Sequence, residues 1–333
     1  MKEIVYIQVA TTDPAFNLAL EEYVFEHMPR DKEYFLTWQN DNAIIVGRHQ
    51  NTLAEINEEF VRDHGIRVVR RLSGGGAVYH DLGNLNFTFI VDAQPGQKVD
   101  LRKFCQPIAD TLGKLGANAT VDGRNDILID GKKISGNAQY VRQGRVMHHG
   151  TILFDADTSV LGQALQPDPT KIHAKGVKSV RSRVTNVRPC LKRDMTLEEF
   201  RDALTNSLLE QDGYSRYELT EQDVAAIEEI CRERYSRWEW NYGYCEENAP
   251  VRKKRIENCG LVAAHISLNN GLISGLTFRG DYFSTLPPED LAKRLIGLPL
   301  VAESLRVALS NVRTEDYITG LGREDLINLL CDF

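Results

Sequence analysis

Three consecutive glycines, Gly74–Gly76, constrain the fold of this 333-residue chain more than any other feature. They stand between two runs rich in β-branched and aromatic residues, "IRVVRRL" (66–72) and "AVYHDLGNLNFTFIV" (77–91), which predict two strands. A hairpin turn needs one or two glycines, not three. Without Cβ atoms a ligand can approach the backbone closely, and Arg70 and Arg71 place positive charge beside it. The composition leaves two alternatives, an anion site and a flexible turn with solvated arginines.

The order of predicted elements before residue 155 favours an α+β domain. A strand at 4–9 precedes a helix with Asp13 as its N-cap and Pro14 as its first residue, and strands follow at 34–38 and 43–47. Helices are predicted at 53–64 and 101–115. Hairpin turns, rather than regular βαβ alternation, indicate a mixed or mostly antiparallel sheet flanked by helices.

The pattern of the sequence changes from Thr196 onward, where helix signals follow the predicted strands. Thr196 and Glu199 have the spacing of a capping box, and Thr220 is the expected cap of the next helix. The charged stretch 246–255 predicts a linker, and beyond it a hairpin around Asn270–Gly271 and three helices predict a small α+β domain. We therefore expect a large domain over 1–245, a linker over 246–255 and a C-terminal domain over 256–333.

The composition indicates a cytoplasmic protein. The formal net charge of −7 argues against general nucleic-acid binding. The six cysteines contain no C-x-x-C pair, which predicts reduced thiols rather than a disulfide or zinc framework. The N-terminus lacks the features of a secretory signal, and no apolar run is long enough to span a bilayer, so no membrane association is expected.

The segment "GRNDILIDGKKISGNAQ" (123–139) predicts a hairpin that carries two lysines. With a two-residue turn at Asp130–Gly131, Leu128 pairs with Lys133 and the two lysines point to opposite faces. At most one lysine can therefore enter a buried site. The alternative is a hairpin tip with two solvated lysines.

Two further segments carry chemistry-bearing residues. In "HHGT" (148–151) the adjacent histidines should face opposite sides of a strand, which disfavours a shared metal and favours one inward structural or substrate-positioning histidine. The stretch 170–193 holds eight basic residues and no acidic one, interleaved with small residues. It is either a solvated basic surface or a loop that closes over a polyanion. A substrate that bears phosphate fits these segments and the glycine run best.

The sequence resembles the bacterial lipoate–protein ligases, members of the biotin/lipoate ligase superfamily. The motifs that carry the resemblance follow the family's order over nearly the whole chain: "FNLALEEY", "IIVGRHQN", "RRLSGGGAVYHDLGN", "GRNDILIDGKKISGNAQ", "HHGT", "KGVKSVRSRVTN" and "WEWNYG". The resemblance implies the two-domain form, in which a catalytic domain precedes a small accessory domain.

The family's activity is then implied for this chain. ATP, with Mg²⁺, and lipoate would form lipoyl-adenylate and pyrophosphate, and the lipoyl group would pass to a lysine of a carrier protein. The implied partners are the lipoyl domains of 2-oxoacid dehydrogenase complexes and the glycine-cleavage H protein, and a monomer is expected. The apolar lipoyl tail needs a slot, which the strands around Val46, Leu72 and Val78 are expected to supply.

The resemblance also implies the site residues. Lys133 matches the family's lysine that contacts the lipoyl carbonyl and the α-phosphate, and is the expected catalytic residue. The residues expected at the nucleotide or adenylate are Arg71, Gly75, Gly76, Ala77, Val78, Tyr79, Asn125, Asp126, Lys133, Lys175, Gly176, Val177, Ser179, Arg181 and Arg183. Those expected at lipoate are Arg70, Ser73, His80, Lys133, Gly136 and His149. Asp126 is the expected protein ligand of Mg²⁺, which the phosphates mainly hold.

Three alternatives accompany this interpretation. An octanoyltransferase or lipoyl-amidotransferase would work through a cysteine thioester without ATP and would need a nucleophilic cysteine at the site. Cys105 and Cys190 are the cysteines of the core catalytic region, and we interpret both as structural. A biotin ligase has a different glycine–arginine pattern. A binding protein without activity would not need the intact Arg71, glycine run and Lys133.

Overall fold

A sheet of eight strands forms the centre of the N-terminal part of the molecule. The computed structural model describes residues 2–93, 100–122, 125–165, 184–209, 213–243 and 251–331. The strands are β1 (Glu3–Gln8), β2 (Lys32–Trp38), β3 (Ala43–Val46), β4 (Arg67–Arg70), β5 (Val78–His80), β6 (Asn84–Asp92), β7 (Ala119–Asp122), β8 (Asp126–Ile129), β9 (Lys132–Arg142), β10 (Arg145–Leu153), β11 (Tyr214–Arg216), β12 (Val251–Ile256), β13 (Gly260–Asn269) and β14 (Leu272–Gly280). The large sheet has the order β11-β1-β2-β6-β10-β9-β8-β7. Its β11-β1 and β1-β2 pairs are parallel and the others are antiparallel, so the expected mixed, mostly antiparallel sheet is confirmed.

Helices connect the strands in both parts of the molecule. They are α1 (Pro14–His27), α2 (Thr52–Glu55), α3 (Glu58–Asp63), α4 (Arg102–Leu115), α5 (Thr158–Ala164), α6 (Leu197–Leu209), α7 (Glu221–Ile230), α8 (Trp238–Asn241), α9 (Pro288–Leu295), α10 (Ala302–Ala308), α11 (Thr314–Tyr317) and α12 (Arg323–Cys331). The side chain of Asp13 accepts hydrogen bonds from the backbone at the start of α1, as expected. The caps at Thr196 and Thr220 are also confirmed. Among the helices of the described ranges, none is both long and apolar enough to cross a bilayer.

A second sheet, with strand order β4-β3-β5, lies beside the first. The prediction of one continuous strand over 77–91 was wrong, because β5 joins this small sheet and β6 joins the large one. The chain turns between them where the Asp81 side chain accepts a hydrogen bond from Gly83 N at 2.9 Å. The predicted helix at 53–64 is likewise divided, since Asn57 caps a new helix by accepting from Phe60 N at 3.2 Å.

The C-terminal part has its own core. Strands β12, β13 and β14 form an antiparallel sheet, and the hairpin turn at Asn270–Gly271 has positive φ at both residues, as a two-residue turn requires. Apolar side chains of this sheet and of α9 to α12 pack together. Residues 251–255, which were predicted as part of the linker, lie in β12. The division of the chain at 245 and 256 stays a prediction.

Candidate active site

A cleft of about 130 Å³ opens between the two sheets. The elements that line it are α1, β2, β3, the glycine run with β5, the residue before β8, and the strands β6, β9 and β10. The lining residues are Leu18, Trp38, Ile45, Arg71, Gly75, Gly76, Ala77, Val78, His80, Asn86, Asn125, Lys133, Gly136, Asn137, Ala138, His149, Gly150 and Thr151. Three segments predicted separately from the sequence therefore meet at one place.

The Arg71 side chain holds the shape of the glycine loop, defined here as residues 71–77. Its guanidinium donates to the carbonyl oxygens of Gly74 at 2.7 Å, Gly76 at 2.9 Å and Ile45 at 3.1 Å, and its Nε donates to Ser73 Oγ at 3.0 Å. Arg71 is buried, and burial lowers its pKa to about 10, which leaves it charged at neutral pH. The loop is therefore a turn held in shape by hydrogen bonds to the Arg71 side chain, and not the flexible turn that was the alternative.

The three glycines of the loop have three different environments. A Cβ atom at Gly74 would lie 2.3 Å from the carbonyl oxygen of Tyr282, so another part of the backbone occupies that space. Gly75 has a φ of +92°, which L-residues with a side chain rarely adopt. Gly76 has no atom within 4 Å of its Cβ position and lines the cleft. Gly76 is thus the glycine at which a ligand can approach the backbone.

The C-terminal part contacts the outer side of the glycine loop. Gly75 N donates to Tyr282 O at 3.3 Å. The His49 ring stacks on the Tyr282 ring with 4.8 Å between centroids, and His49 Nε2 lies 2.9 Å from Ser284 Oγ. The contact segment, residues 280–284, supports the loop without lining the cleft itself.

The hairpin β8-β9 brings one of its two lysines to the cleft. Asp130 and Gly131 have φ values of +49° and +73°, and Leu128 pairs with Lys133, so the predicted turn and pairing are confirmed. Lys132 is exposed at the tip, whereas Lys133 lines the cleft. The pairing thus separates the two lysines as the sequence predicts.

The Lys133 ammonium is held loosely. Its Nζ lies 2.8 Å from Asp126 Oδ1, and the side chain is 39 % exposed. It also lies over Gly136, whose Cβ would be 2.9 Å from Nζ, so a larger residue there would push the ammonium away. Lys133 can therefore turn from Asp126 toward an anion in the cleft.

Two asparagines fix the base of this hairpin. Asn125 Nδ2 donates to Asn137 O at 2.6 Å, and Asn137 Nδ2 donates to Asn125 O at 3.0 Å. Both residues line the cleft. Asn125 was expected at the nucleotide, and its side chain is here engaged with the strand that carries Lys133. Asn137 was not singled out from the sequence, although it stands in the "SGNA" run of small residues.

His149 connects the glycine loop to helix α1. Its Nε2 lies 2.6 Å from Ser73 Oγ and its Nδ1 lies 2.9 Å from Glu21 Oε1. Thr88 Oγ1 donates to the same carboxylate at 2.5 Å, and Trp38 Nε1 donates to Thr88 Oγ1 at 3.0 Å. Sequence reasoning missed Glu21. The available signal was an acidic residue in the middle of the helix "FNLALEEY".

The neighbouring histidine faces the other side of β10, as predicted. His148 Nε2 lies 4.0 Å from Cys105 Sγ, and the ring stacks on Phe104 at 4.7 Å between centroids. Burial lowers the pKa of His148 to about 3 and raises that of the Cys105 thiol to about 12. Cys190 is half-buried and its Sγ lies 3.6 Å from a backbone oxygen. Among the described residues, no cysteine lines the cleft.

The structure does not bring Arg70 to the cleft. Its side chain is fully buried and donates to Trp240 O at 2.8 Å, Gly47 O at 2.8 Å and Thr52 Oγ1 at 2.6 Å. Trp240 Nε1 donates in return to Arg70 O at 2.8 Å. Arg70 therefore ties the "WEWNYG" segment to β4, and its expected contact with lipoate stays without structural support.

The other predicted residues fall into four groups. Those that line the cleft are Arg71, Gly75, Gly76, Ala77, Val78, His80, Asn125, Lys133, Gly136 and His149. Ser73 and Asp126 do not line the cleft but contact residues that do, His149 and Lys133 respectively. Tyr79 points away from the cleft and donates to Asn42 Oδ1 at 3.1 Å. Lys175, Gly176, Val177, Ser179, Arg181 and Arg183 lie outside the described residues.

The apolar wall of the cleft differs in part from the expected one. Val78 lines it, but Val46 and Leu72 are buried in the core. Leu18, Trp38 and Ile45 take their place. The alternation of side chains along β3 explains why Ile45 lines the cleft in place of Val46, because the two residues point to opposite faces of the strand.

The chain is similar in sequence to families of known name. Residues 13–209 match the family described as "Lipoyl protein ligase A/B catalytic domain". Residues 249–330 match the family described as "Bacterial lipoate protein ligase C-terminus". The lipoate-protein ligase LplJ of Bacillus subtilis is 40 % identical over 321 residues, 96 % of this chain and 97 % of that protein. Lipoate–protein ligase 1 of Staphylococcus aureus is 39 % identical and covers the same shares.

Solved structures share the fold. LipL1 of P. falciparum in complex with lipoate superposes with a TM-score of 0.77 at 22 % identity, over 94 % of this chain and 95 % of that one. A lipoate-protein ligase A bound with ATP gives 0.64 at 27 % identity, over 74 % and 100 %. A bipartite lipoate protein ligase of Thermoplasma acidophilum, described with its E2 lipoyl domain, gives 0.64 at 28 % identity, over 74 % and 98 %.

Proposed function

The chain belongs to the lipoate–protein ligases, and we propose that its cleft activates lipoate with ATP and passes the lipoyl group to a lysine of a carrier domain. The observation that carries the proposal is the meeting of Lys133, the glycine loop and an apolar wall in one cleft. A cation, an accessible backbone and an apolar slot are what an acyl-adenylate requires, because that molecule joins a phosphate to an apolar tail.

The first half-reaction has to bring two anions together. The lipoate carboxylate attacks the α-phosphorus of ATP, a carboxylate–phosphate bond forms, and pyrophosphate leaves. Lys133 is the cation that we assign to both anions, because its ammonium lines the cleft and is paired only with Asp126 among the described residues. Charge neutralisation by a positioned cation stabilises such a transition state strongly. The backbone at Gly76 is the place where the phosphate can approach the glycine loop.

Magnesium fits the acidic side of this site. Asp126 Oδ1 is buried and, apart from its ion pair with Lys133, has no hydrogen-bond partner among the described residues. A carboxylate oxygen is a ligand that suits Mg²⁺. Within the described ranges no three His, Cys, Asp or Glu side chains converge as a metal site, so the phosphates of ATP would supply most ligands. When bound, Mg²⁺ neutralises phosphate charge.

The second half-reaction transfers the acyl group. The amine of the carrier lysine attacks the carbonyl carbon of the adenylate, an amide bond forms, and AMP leaves with the bonding electrons. We assign to Lys133 the stabilisation of charge on the carbonyl oxygen in this step as well. No enzyme nucleophile is required, in keeping with a cleft that no described cysteine lines.

The lipoyl tail and the carriers follow from the same assignment. Leu18, Trp38, Ile45 and Val78 provide the apolar wall for the alkyl chain and its ring. We propose lipoyl domains of 2-oxoacid dehydrogenase complexes and the glycine-cleavage H protein as acceptors. The enzyme would act as a cytoplasmic monomer.

Exchange of label between pyrophosphate and ATP tests the proposal. Purified enzyme should catalyse exchange only with lipoate present, and should add one lipoyl group to a lipoyl domain in the presence of ATP, as read by mass spectrometry. Folded enzyme that shows neither reaction contradicts the proposal. Transfer from a lipoylated carrier without ATP, lost when Cys105 and Cys190 are replaced by serine, would support the thioester mechanism instead.

A further inference from the structure

His80 presents an unpartnered buried nitrogen at the cleft. The residue is 2 % exposed and lines the cleft, and its Nε2 has no hydrogen-bond partner among the described residues. Its Nδ1 lies 3.1 Å from Asn40 Nδ2, and Asn40 does not line the cleft. Because Nδ1 is engaged by Asn40, Nε2 is the ring nitrogen left for a ligand in the cleft. A buried polar atom without a partner is costly unless a ligand supplies one.

Two fully buried asparagines determine which nitrogen of His80 carries the proton. Asn17 Nδ2 lies 2.7 Å from Gln39 O and 3.3 Å from Thr11 O, and carbonyl oxygens can only accept. The orientation of the Asn17 amide is thereby fixed. The same Nδ2 donates to Asn40 Oδ1 at 3.0 Å, which fixes the Asn40 amide in turn.

The end of this chain of hydrogen bonds is a donor aimed at Nδ1 of His80. Because Asn40 Oδ1 is the acceptor for Asn17, Asn40 Nδ2 must donate to His80 Nδ1. That nitrogen is then an acceptor, and the proton of the neutral ring resides on Nε2. Burial, Arg71 and His149 lower the pKa of His80 to about 3, so the ring is neutral at physiological pH.

We propose that Asn17 and Asn40 are positioning residues for lipoate, since they hold His80 as an Nε2–H donor that binds an acceptor atom of the lipoyl group. The inference rests on the proposed function for the identity of the ligand. Lipoate offers two kinds of acceptor, the carboxyl oxygens and the ring sulfurs. Octanoate has the carboxyl group without the sulfurs, which allows an experiment to separate them.

Asn40→Asp tests the assignment because it reverses the polarity at Nδ1. An aspartate accepts from Nδ1, so the neutral ring carries its proton there and presents Nε2 as an acceptor. We expect the KM for lipoate in the exchange reaction to rise about 10- to 100-fold at pH 8, with a smaller change in kcat, because a donor to the substrate is lost.

The variant should also acquire a pH dependence that the parent protein lacks. The carboxylate that replaces the Asn40 amide stabilises the imidazolium, so the pKa of His80 rises from its depressed value. Below that pKa both nitrogens carry protons and the Nε2–H donor returns. The ratio of KM values, variant to parent, should therefore fall toward one as pH falls from about 8 to 5. Among the described residues, Arg71 and His149 are the charged or titratable side chains that act on His80, and both are present in variant and parent.

Asn42→Asp is the matched control. Asn42 lies two residues along the chain, outside the cleft lining, and its Nδ2 donates to His64 O at 2.9 Å. Its KM for lipoate should stay within about twofold of the parent value at each pH. With octanoate, an equal rise of KM in Asn40→Asp assigns the contact to the carboxyl group, and no rise assigns it to the ring sulfur.

The parent protein itself provides a readout that needs no variant. The ¹⁵N shifts of His80 in ligand-free enzyme should show a protonated Nε2 and an unprotonated Nδ1 between about pH 6 and 8. A proton on Nδ1, or an unchanged KM with both substrates in a folded Asn40→Asp enzyme, overturns the inference. Failure of the proposed function is a different result, namely no lipoate-dependent exchange in the parent protein.

Discussion

The glycine loop and the β8-β9 hairpin each bring a cation to the cleft, but in opposite ways. Arg71 is buried, and its donors contact carbonyl oxygens and Ser73. Lys133 is 39 % exposed and, among the described residues, its one ion-pair partner is Asp126. The Arg71 guanidinium is engaged by protein atoms, whereas the Lys133 ammonium can contact a ligand. The difference separates the group that shapes the site from the group that we expect to contact the ligand.

The two regions also differ in how they are supported. The hairpin is defined by a local turn and by strand pairing with adjacent chain. The glycine loop is held by Arg71 from within and by the contact segment 280–284 from outside. Changes at Lys133 in the hairpin should therefore alter catalysis with little effect on stability, whereas a change at Arg71 in the loop should alter both. Three substitutions test this contrast.

Lys133→Ala should have the largest effect. Loss of the cation that we assign to the carboxylate and α-phosphate should lower lipoate-dependent exchange by at least about 10³-fold. Because the Lys133–Asp126 pair is partly exposed, the free energy of unfolding should change by less than about 1 kcal/mol. Exchange assays and urea unfolding of the same preparation measure the two quantities.

Lys132→Ala is the control for this prediction, since Lys132 is the neighbouring lysine on the exposed face. Its exchange rate should stay within about twofold of the parent rate. A Lys133→Ala enzyme that retains normal adenylate formation would remove Lys133 from the mechanism. Equal losses in the two variants would show that overall hairpin charge, and not one positioned ammonium, is what matters.

Arg71→Lys should affect stability and activity together. A lysine has one ammonium with three donors, and it cannot reach all the oxygens that the guanidinium contacts. Buried carbonyl groups left without a donor cost about 1–3 kcal/mol each. We expect the free energy of unfolding to fall by about 2–4 kcal/mol and exchange to fall with it, as measured by urea unfolding and the exchange assay.

Arg67→Lys provides the comparison for a charge-conserving change at a partly exposed arginine. Arg67 is paired with Asp13 at 2.8 Å and its side chain is 48 % exposed, so less than about 1 kcal/mol should be lost. If Arg71→Lys keeps full stability but loses activity, then Arg71 acts on the ligand directly. The contrast with Lys133 would then disappear.

The hairpin shows what the sequence could predict. Asp130 and Gly131 favour a two-residue turn for local reasons, and strand geometry then places Lys132 and Lys133 on opposite faces. The helix caps at Asp13 and Thr220 were predictable for the same reason, because each depends on residues within four positions.

The partners of buried polar groups could not be predicted. Arg70 and Arg71 are adjacent and chemically identical, yet Arg70 contacts Trp240 while Arg71 contacts the loop. Nothing local distinguishes them, because the difference lies in elements that folding brings together from distant parts of the chain. The link from Asn17 to His80 through Asn40 has the same origin. Residue types indicated a site, but only tertiary contacts assign each side chain its task.

Gly74→Ala should have the smallest of the three effects, and it tests the outer support of the loop. The new Cβ would lie 2.3 Å from Tyr282 O and 3.1 Å from Phe283 Cα, and backbone atoms cannot yield cheaply. We expect a loss of about 1–3 kcal/mol in the free energy of unfolding, with faster hydrogen exchange in the contact segment.

Gly76→Ala, with open space at its Cβ position, should change stability by less than about 0.5 kcal/mol. Because Gly76 lines the cleft, its variant should instead weaken ATP binding, so two alanines two residues apart would separate the supported side of the loop from the ligand side. Equal stability losses in both variants would mean that the triplet is needed for backbone freedom alone, and that the C-terminal part does not support the loop.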